Sequence, residues 1–323
     1  MYNVHIRRCK KMCAEMRINM DIKEHGVEAY DEVTAGGVQS HTGAGQLYLC
    51  ATPIGNLEDI TFRVLRILKE ADVIAAEDTR NSIKLLNHFE ISTPMTSYHE
   101  YNRVEKAKVL VKQLQEGKDI ALITDAGTPG ISDPGEELVR QCHEAGITVT
   151  ALPGACALIN ALIISGQPTR RFCFEAFLPS DKKERKQILD SLENETRSII
   201  IYEAPHRLVR TLEELHEVLG DRSMTLCREL TKKHESVFKS TLGEILAYHR
   251  ENPPKGECVM IIEGKSFQEL KEESQEEFLK IPLSEHMNRY MDQGYSKKEA
   301  MKLVAKDRGV GKREIYQQLL EEE

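Results

Sequence analysis

No stretch of the 323-residue chain approaches the roughly 20 consecutive apolar residues of a bilayer span. The N-terminus also lacks the apolar core of a secretory signal, so a soluble chain with no membrane partner is expected. Eight cysteines are present, at positions 9, 13, 50, 142, 156, 173, 227 and 258, yet no C-x-x-C pair occurs among them. That scatter excludes a disulfide framework or a zinc site and reads as reduced cytosolic thiols. There is no G-x-x-x-x-G-K-[ST] loop, no H-E-x-x-H or Cys/His cluster and no G-x-S-x-G elbow. P-loop hydrolysis, metal-assisted chemistry and a serine hydrolase are therefore disfavoured. Gly43-Ala44-Gly45 precedes a strand instead of joining a strand to a helix, so it is no dinucleotide fingerprint. Positive charge is also short. A formal net charge of −8 argues against non-specific coating of nucleic acid, DNA included, although it leaves room for a local basic patch.

What is present is an alternation. With 40% hydrophobic and 30% charged residues, the composition is that of a soluble globular enzyme, and the length allows about two domains. From Leu47 onward short apolar runs alternate with amphipathic segments. Strands are expected at 47–51, 73–76, 120–123 and 147–152, with helices at 61–70, 79–88, 104–116 and 136–145. This pattern predicts a largely parallel sheet covered on both faces. Around Gly166-Gln167-Pro168-Thr169 the rhythm changes, and a boundary is expected there. Strands at 172–177, 197–202, 223–229, 234–240 and 257–263, with helices at 182–193 and 206–219, then predict a mixed second sheet. The division is thus an N-terminal arm (1–45), two α/β domains (46–168 and 169–266) and a helical appendage (280–323). The arm ends in Gly/Ser-rich wording that suits a flexible linker, and its Arg7-Arg8-Cys9-Lys10-Lys11 cluster reads as a solvated tail. Between Ser296 and Arg313 the appendage carries seven Lys/Arg against two acids, a balance of +5, and Gly309-Val310-Gly311 divides two helical runs as in a helix-turn-helix.

Chemistry concentrates in loops at strand ends. Three glycines and two prolines fill 125–135 (DAGTPGISDPG) after the strand at 120–123; glycine permits close backbone approach to a ligand and proline stiffens the turn. Thr52 to Asn56 follows the strand at 47–51 and Pro153-Gly154-Ala155-Cys156 the strand at 147–152. Each alone reads as a tight α/β turn, but three on one sheet edge point to a shared pocket. Four polar clusters stand apart: Glu77-Asp78-Thr79-Arg80, the loop 97–102 with His99, the turn after Tyr202, and the charged stretch 228–235.

These strings resemble the tetrapyrrole methylase superfamily, and within it the branch that methylates ribosomal RNA. The matching text runs from Leu47 to Gly264 and includes ATPIGNLEDI, AEDTRNSIKLL, SYHEYN, DAGTPGISDPG, LPGACAL, IYEAPHRL, CRELTKKHE and KGECVMIIEG. The resemblance implies two α/β domains with S-adenosylmethionine (SAM) folded in the cleft between them, a helical appendage, and a homodimer. It further implies 2′-O-ribose methylation of a cytidine in the decoding centre of 16S rRNA, within the 30S subunit. Carried over by position, Pro53, Ile54 and Gly55 would line one side of the cleft. Asp125, Ala126, Gly127, Gly130, Ile131 and Ser132 would meet the methionine and ribose portions. Ala155, Cys156, Tyr202 and Glu203 would follow, with Leu230, Glu257 and Cys258 closing on the adenine. The TPGISDPG wording favours the RNA branch over the porphyrinoid enzymes; a porphyrinoid-type or diphthamide-type small-molecule methyltransferase is the alternative, and a non-catalytic RNA-binding protein the third reading.

Methyl transfer from a sulfonium to a ribose hydroxyl needs in-line alignment and help in removing the proton. The candidates for proton removal are Glu77, His99, Glu203 and His206. Arg80, Arg207 and Lys232 are candidates for holding phosphate or a developing alkoxide. Basic residues for RNA contact are available in the tail and in Lys182-Lys183-Glu184-Arg185-Lys186.

Overall fold

The computed structural model describes residues 43–322. The N-terminal arm with its Arg7–Lys11 cluster, Cys9 and Cys13 lies outside the described residues, apart from its last three positions.

The first sheet comprises β1 (Leu47–Cys50), β2 (Val73–Ala76), β3 (Met95–Ser97), β4 (Ile120–Ile123) and β5 (Val149–Leu152). Its order is β3-β2-β4-β1-β5 and every pairing is parallel. Central β4 is buried throughout, and its side chains alternate between the two faces. Ile120 and Leu122 pack with α3 (Arg103–Gln115) and α4 (Gly135–Glu144). Ala121 and Ile123 pack with α1 (Phe62–Glu70) and α2 (Thr79–His88). In α1 the buried residues Val64, Ile67 and Leu68 follow helical spacing, and the Thr61 hydroxyl accepts from the Val64 amide to close the first turn. Adjacent β1 and β4 send the chain off in opposite directions, toward β2 and β5 respectively, so a crevice opens at their carboxyl ends.

The second sheet has the order β6-β7-β10-β8-β9, from β6 (Phe172–Phe177), β7 (Ser198–Glu203), β8 (Ser223–Arg228), β9 (Ser236–Thr241) and β10 (Cys258–Ile262). β6 and β7 run parallel and the other pairs antiparallel, the mixed sheet expected. One face is covered by α6 (Lys182–Leu192), α7 (Leu208–Leu219) and α8 (Leu242–Glu251). The other face receives α5 (Ala157–Ser165), whose Leu158, Ala161 and Leu162 pack on Ile200, Cys227, Val259 and Ile261. The sequence reading has no helix at this position. Its boundary at 168 also assigns this segment to the first unit, whereas the segment packs on the second sheet. Strand β3 and helix α8 are likewise elements beyond that reading. α9 (Phe267–Lys280) then leads to a small bundle of α10 (Leu283–Met291), α11 (Lys297–Asp307) and α12 (Lys312–Glu322) with its own core of Leu283, Met287, Ala300, Val304, Ala305 and Ile315. No helix among the described residues is long and apolar enough to cross a membrane.

Candidate active site

The three loops at the carboxyl edge of the first sheet are stitched to one another. Thr52 and Gly127 exchange backbone hydrogen bonds of 2.9 and 3.0 Å, a single antiparallel bridge between loops that follow different strands. The Thr128 hydroxyl donates to the Ala155 carbonyl at 2.9 Å. Gly154 lies so close to Ala51 that a Cβ would approach the Ala51 methyl to 2.5 Å. Gly127 has φ of +86° and Gly130 +88°, a conformation that glycine alone adopts without cost. Ser132 adopts φ of +61° despite its side chain. The Asp133 carboxylate fixes this turn: it accepts from Gly130 N at 2.8 and 2.9 Å, Ile131 N at 3.2 Å and Gly135 N at 2.7 Å.

The second sheet supplies the opposite wall. Tyr202, at the end of β7, turns its hydroxyl to accept from the Leu158 amide at 2.9 Å. Its ring meets Phe174 and Phe177 edge-on at 4.9 and 5.6 Å. The loop after β8 bends through two left-handed residues, Glu229 and Thr231, and brings Lys232 against Gly55. A Cβ on Gly55 would sit 2.3 Å from Lys232 Cγ, so the two walls touch there only because position 55 is glycine. Lys232 Nζ pairs with Glu229 at 2.9 Å and lies 3.9 Å from Glu257.

Between the walls is a cavity of about 310 Å³, a size that accommodates a cofactor. Of the residues predicted from sequence, Ile54, Asp125, Ala126, Gly127, Ile131 and Ser132 line it from the first sheet. Cys156, Tyr202, Leu230, Glu257 and Cys258 line it from the other side, and Glu77 and Lys232 complete the set. Pro53, Gly55, Gly130 and Ala155 belong to the framing loops without lining the cavity. Thr124, Thr128, Asp133, Phe177, Glu229 and Val259 line it without having been singled out by sequence. For Asp133 a signal existed: an aspartate two residues before a glycine, in a turn-rich loop.

Other candidates fall outside. Glu203 follows Tyr202 in the strand and so points through the sheet, away from the cavity. It is fully buried, accepting from the Ala204 amide at 2.9 Å and the Thr211 hydroxyl at 2.5 Å, with Arg207 at 3.4 Å. Arg207 also donates to the Leu178 carbonyl at 2.6 Å, and the pair braces the start of α7. His206 is exposed in the preceding turn. His99 meets Asn102 inside its own loop. Arg80 is exposed and forks onto Asp78, the residue that caps α2. In the segment 182–186, Arg185 is buried and donates to the Thr211 hydroxyl and the Glu214 carboxylate.

The electrostatics of the cavity are acidic. Glu77, Asp125, Asp133, Glu229 and Glu257 face one lysine. Asp133 is committed to backbone amides and Glu229 to Lys232; Glu77, Asp125 and Glu257 are more lightly held, by the Asp125 amide, by Asn81 at 3.4 Å and by Lys232 at 3.9 Å, and can meet a cationic ligand. Burial raises the Glu77 carboxyl above its ordinary range; the Asp125 amide opposes this, and the charges of Asp125, Asp133 and Asp78 add to the rise. Cys258 is pushed up to about 12 by burial, so this lining thiol stays protonated and offers no nucleophile. No group of metal-ligating side chains occurs among the described residues. The donor set fits a cationic organic group: a glycine loop for close backbone contact, an aromatic pair and lightly held carboxylates.

Residues 46–246 match the family described as Tetrapyrrole (Corrin/Porphyrin) Methylases. A protein of Halalkalibacterium halodurans named Ribosomal RNA small subunit methyltransferase I is 50% identical over 283 residues, covering 88% of this chain and 97% of that protein. Proteins of the same name from Synechocystis sp. and Bacillus subtilis are 49% and 46% identical, over 86% and 84% of this chain and 98% and 93% of their own lengths. Among solved structures, a diphthine synthase superposes with a TM-score of 0.54 at 14% identity, over 70% of this chain and 94% of its own. The methyltransferase CobJ gives 0.52 at 19%, over 68% and 95%. These two likenesses are of fold.

Proposed function

Since the chain belongs to the tetrapyrrole methylase family, and within it to the ribosomal RNA small subunit methyltransferase I group, we propose that it transfers a methyl group from SAM to small-subunit ribosomal RNA. The observation that carries this reading is near-50% identity to proteins of that name, over nearly their whole length. It is joined by an acid-lined cavity built on the glycine loop. SAM supplies an electrophilic methyl on a sulfonium, and its positive charge suits the acidic lining. The finer assignment, the 2′-oxygen of a decoding-centre cytidine of 16S rRNA within the 30S subunit, is what the resemblance to that group implies; the TPGISDPG wording of the loop supports the RNA branch over the porphyrinoid enzymes.

The chain's own residues divide the work. The 125–132 turn and Ile54 hold the methionine and ribose portions, and Leu230, Cys258 and Val259 with the Tyr202 wall enclose the base. Glu77 is the proton acceptor: it lines the cavity, and a carboxylate with raised pKa is better matched to a hydroxyl proton than an ordinary one. Lys232 stands where it can offset negative charge on the acceptor oxygen, provided the acceptor draws it from Glu229.

Labelled methyl from SAM should appear on 30S subunits that lack the modification, at one ribose, with the adjacent phosphodiester resistant to alkali. Free 16S RNA and a porphyrinoid serve as the competing acceptors. Intact SAM binding with label only on the porphyrinoid would move the small-molecule alternative to the front. Acting on a ribosomal subunit, the protein works in the cytoplasm.

A homodimer belongs to the same reading. Helix α5 is apolar in seven of its nine residues, and while one side packs on the second sheet, Ile159, Ile163 and Ile164 on the other are 43, 62 and 44% exposed. Such a face is covered most simply by a second copy. Sedimentation should show a dimer, and Ile163→Asp should shift it to monomer by at least 10-fold in dissociation constant.

A further inference from the structure

The function of the α10–α12 module is not absorbed by the cavity, none of whose lining residues it supplies. Resting on the RNA reading above, we propose that this module is a second RNA contact, and that a row of cations along α11 and the start of α12 grips the phosphate backbone of the small-subunit RNA. The module holds itself together: Leu283, Met287, Val304 and Ile315 form its core, and buried His286 and Arg308 are used internally. Arg308 donates to His286 and to the Ile281 carbonyl, and His286 faces Asp307 at 3.3 Å. One of the seven basic residues counted in this segment is therefore structural.

The others are exposed. Lys298, Lys302 and Lys306 recur every four residues and so share one face of α11. The turn at Gly309, with φ of +66°, then leads into Lys312 and Arg313 in the first turn of α12. These five side chains form no ion pair among the described residues. Both placements run against the module's own stability. Like charges four apart on a helix repel, by about 0.2–0.5 kcal/mol per pair. Cations in a first turn oppose the helix dipole. Nor does basicity pervade the region, since the preceding α9 carries five glutamates against two lysines. A row that is unfavourable alone and lacks acidic partners is complementary to a polyanion, and the substrate of this reading is one.

The test is kinetic. Lys298→Glu/Lys302→Glu/Lys306→Glu in the full chain should raise KM for 30S subunits at least 10-fold, with kcat and SAM affinity unchanged. A neutralising Lys→Gln triple should fall between it and the wild type, and it decides the matter if the Glu triple does not fold. The slope of log(kcat/KM) against log salt should shrink by about 2–3, as expected for the loss of three phosphate contacts. Wild-type KM and salt slope in the Gln triple would overturn the inference. Failure of the wild type to label any RNA would instead overturn the reading on which it rests.

Discussion

Glu77→Gln is expected to lower the rate of methyl transfer to 30S subunits by about 10²–10⁴, the usual worth of a positioned general base, with SAM affinity preserved. Among the four residues that sequence offers for proton removal, Glu77 alone lines the cavity. Glutamine keeps the shape and still accepts the Asp125 amide, so the loss would report proton transfer, not packing. The pH dependence follows from the direction of the shift. Burial and the neighbouring carboxylates raise the Glu77 pKa in the folded protein, so folding favours its protonated form. Its contribution to stability is therefore full below the unfolded pKa, near 4.3, and is lost as pH rises through the folded value. At neutral pH the ionised side chain is a liability to the fold that the neutral amide removes. The variant should melt at or above the wild-type temperature at pH 7, and this advantage should shrink in acid. The wild-type rate should climb with pH through the raised pKa, and the variant profile should be flat there. Full activity in Glu77→Gln would leave the reaction without a carboxylate base and return the problem to alignment alone.

This residue also marks what a sequence can and cannot disclose. The strand that leads into Glu77, Val73–Ala76, was legible because buried parallel strands read as unbroken apolar runs, as Ile120–Ile123 also does ahead of the glycine loop. Helix α5 was not, for a physical reason. Its wording, Ala157 to Ser165, places apolar residues on every side and is broken only by Asn160 and Ser165, so neither helical nor strand periodicity emerges. Only the fold shows one side buried on the second sheet and the other exposed. Tyr202 and Glu203 are neighbours in the chain and look equally functional, yet strand geometry sends them to opposite faces. The contact of Lys232 with Gly55 joins positions far apart in sequence, and no local pattern encodes it. Charge behaves similarly: Arg308 and Lys306 count alike in a composition, but one is buried in its module and the other exposed.

Asp133→Ala is the substitution expected to do most harm to the cofactor site through its backbone, because this lining carboxylate is committed to the amides of the glycine loop. The carboxylate gathers three backbone amides of its own loop, and in doing so it holds Gly130 and Ser132 in left-handed conformations. Ser132 at φ of +61° carries strain of about 1–3 kcal/mol, which persists only while its surroundings enforce it. Alanine releases the three amides. Because the loop is partly solvated, water replaces some of the lost bonds, and a destabilisation of about 2–4 kcal/mol is expected. The effect on SAM should be larger than stability alone would indicate, a loss of at least 100-fold in affinity, because the loop must present its backbone in one arrangement. Asp133→Asn separates the two contributions. Its amide oxygen can still accept from Gly135 and Gly130, while its NH₂ group opposes the Ile131 amide, so an intermediate affinity is expected with stability nearly restored. Calorimetric titration of both variants with SAM, beside their melting curves, reads this out. If the alanine variant bound SAM as tightly as the wild type, the glycines and prolines of the loop would suffice to shape it, and the aspartate would be only a cap for α4.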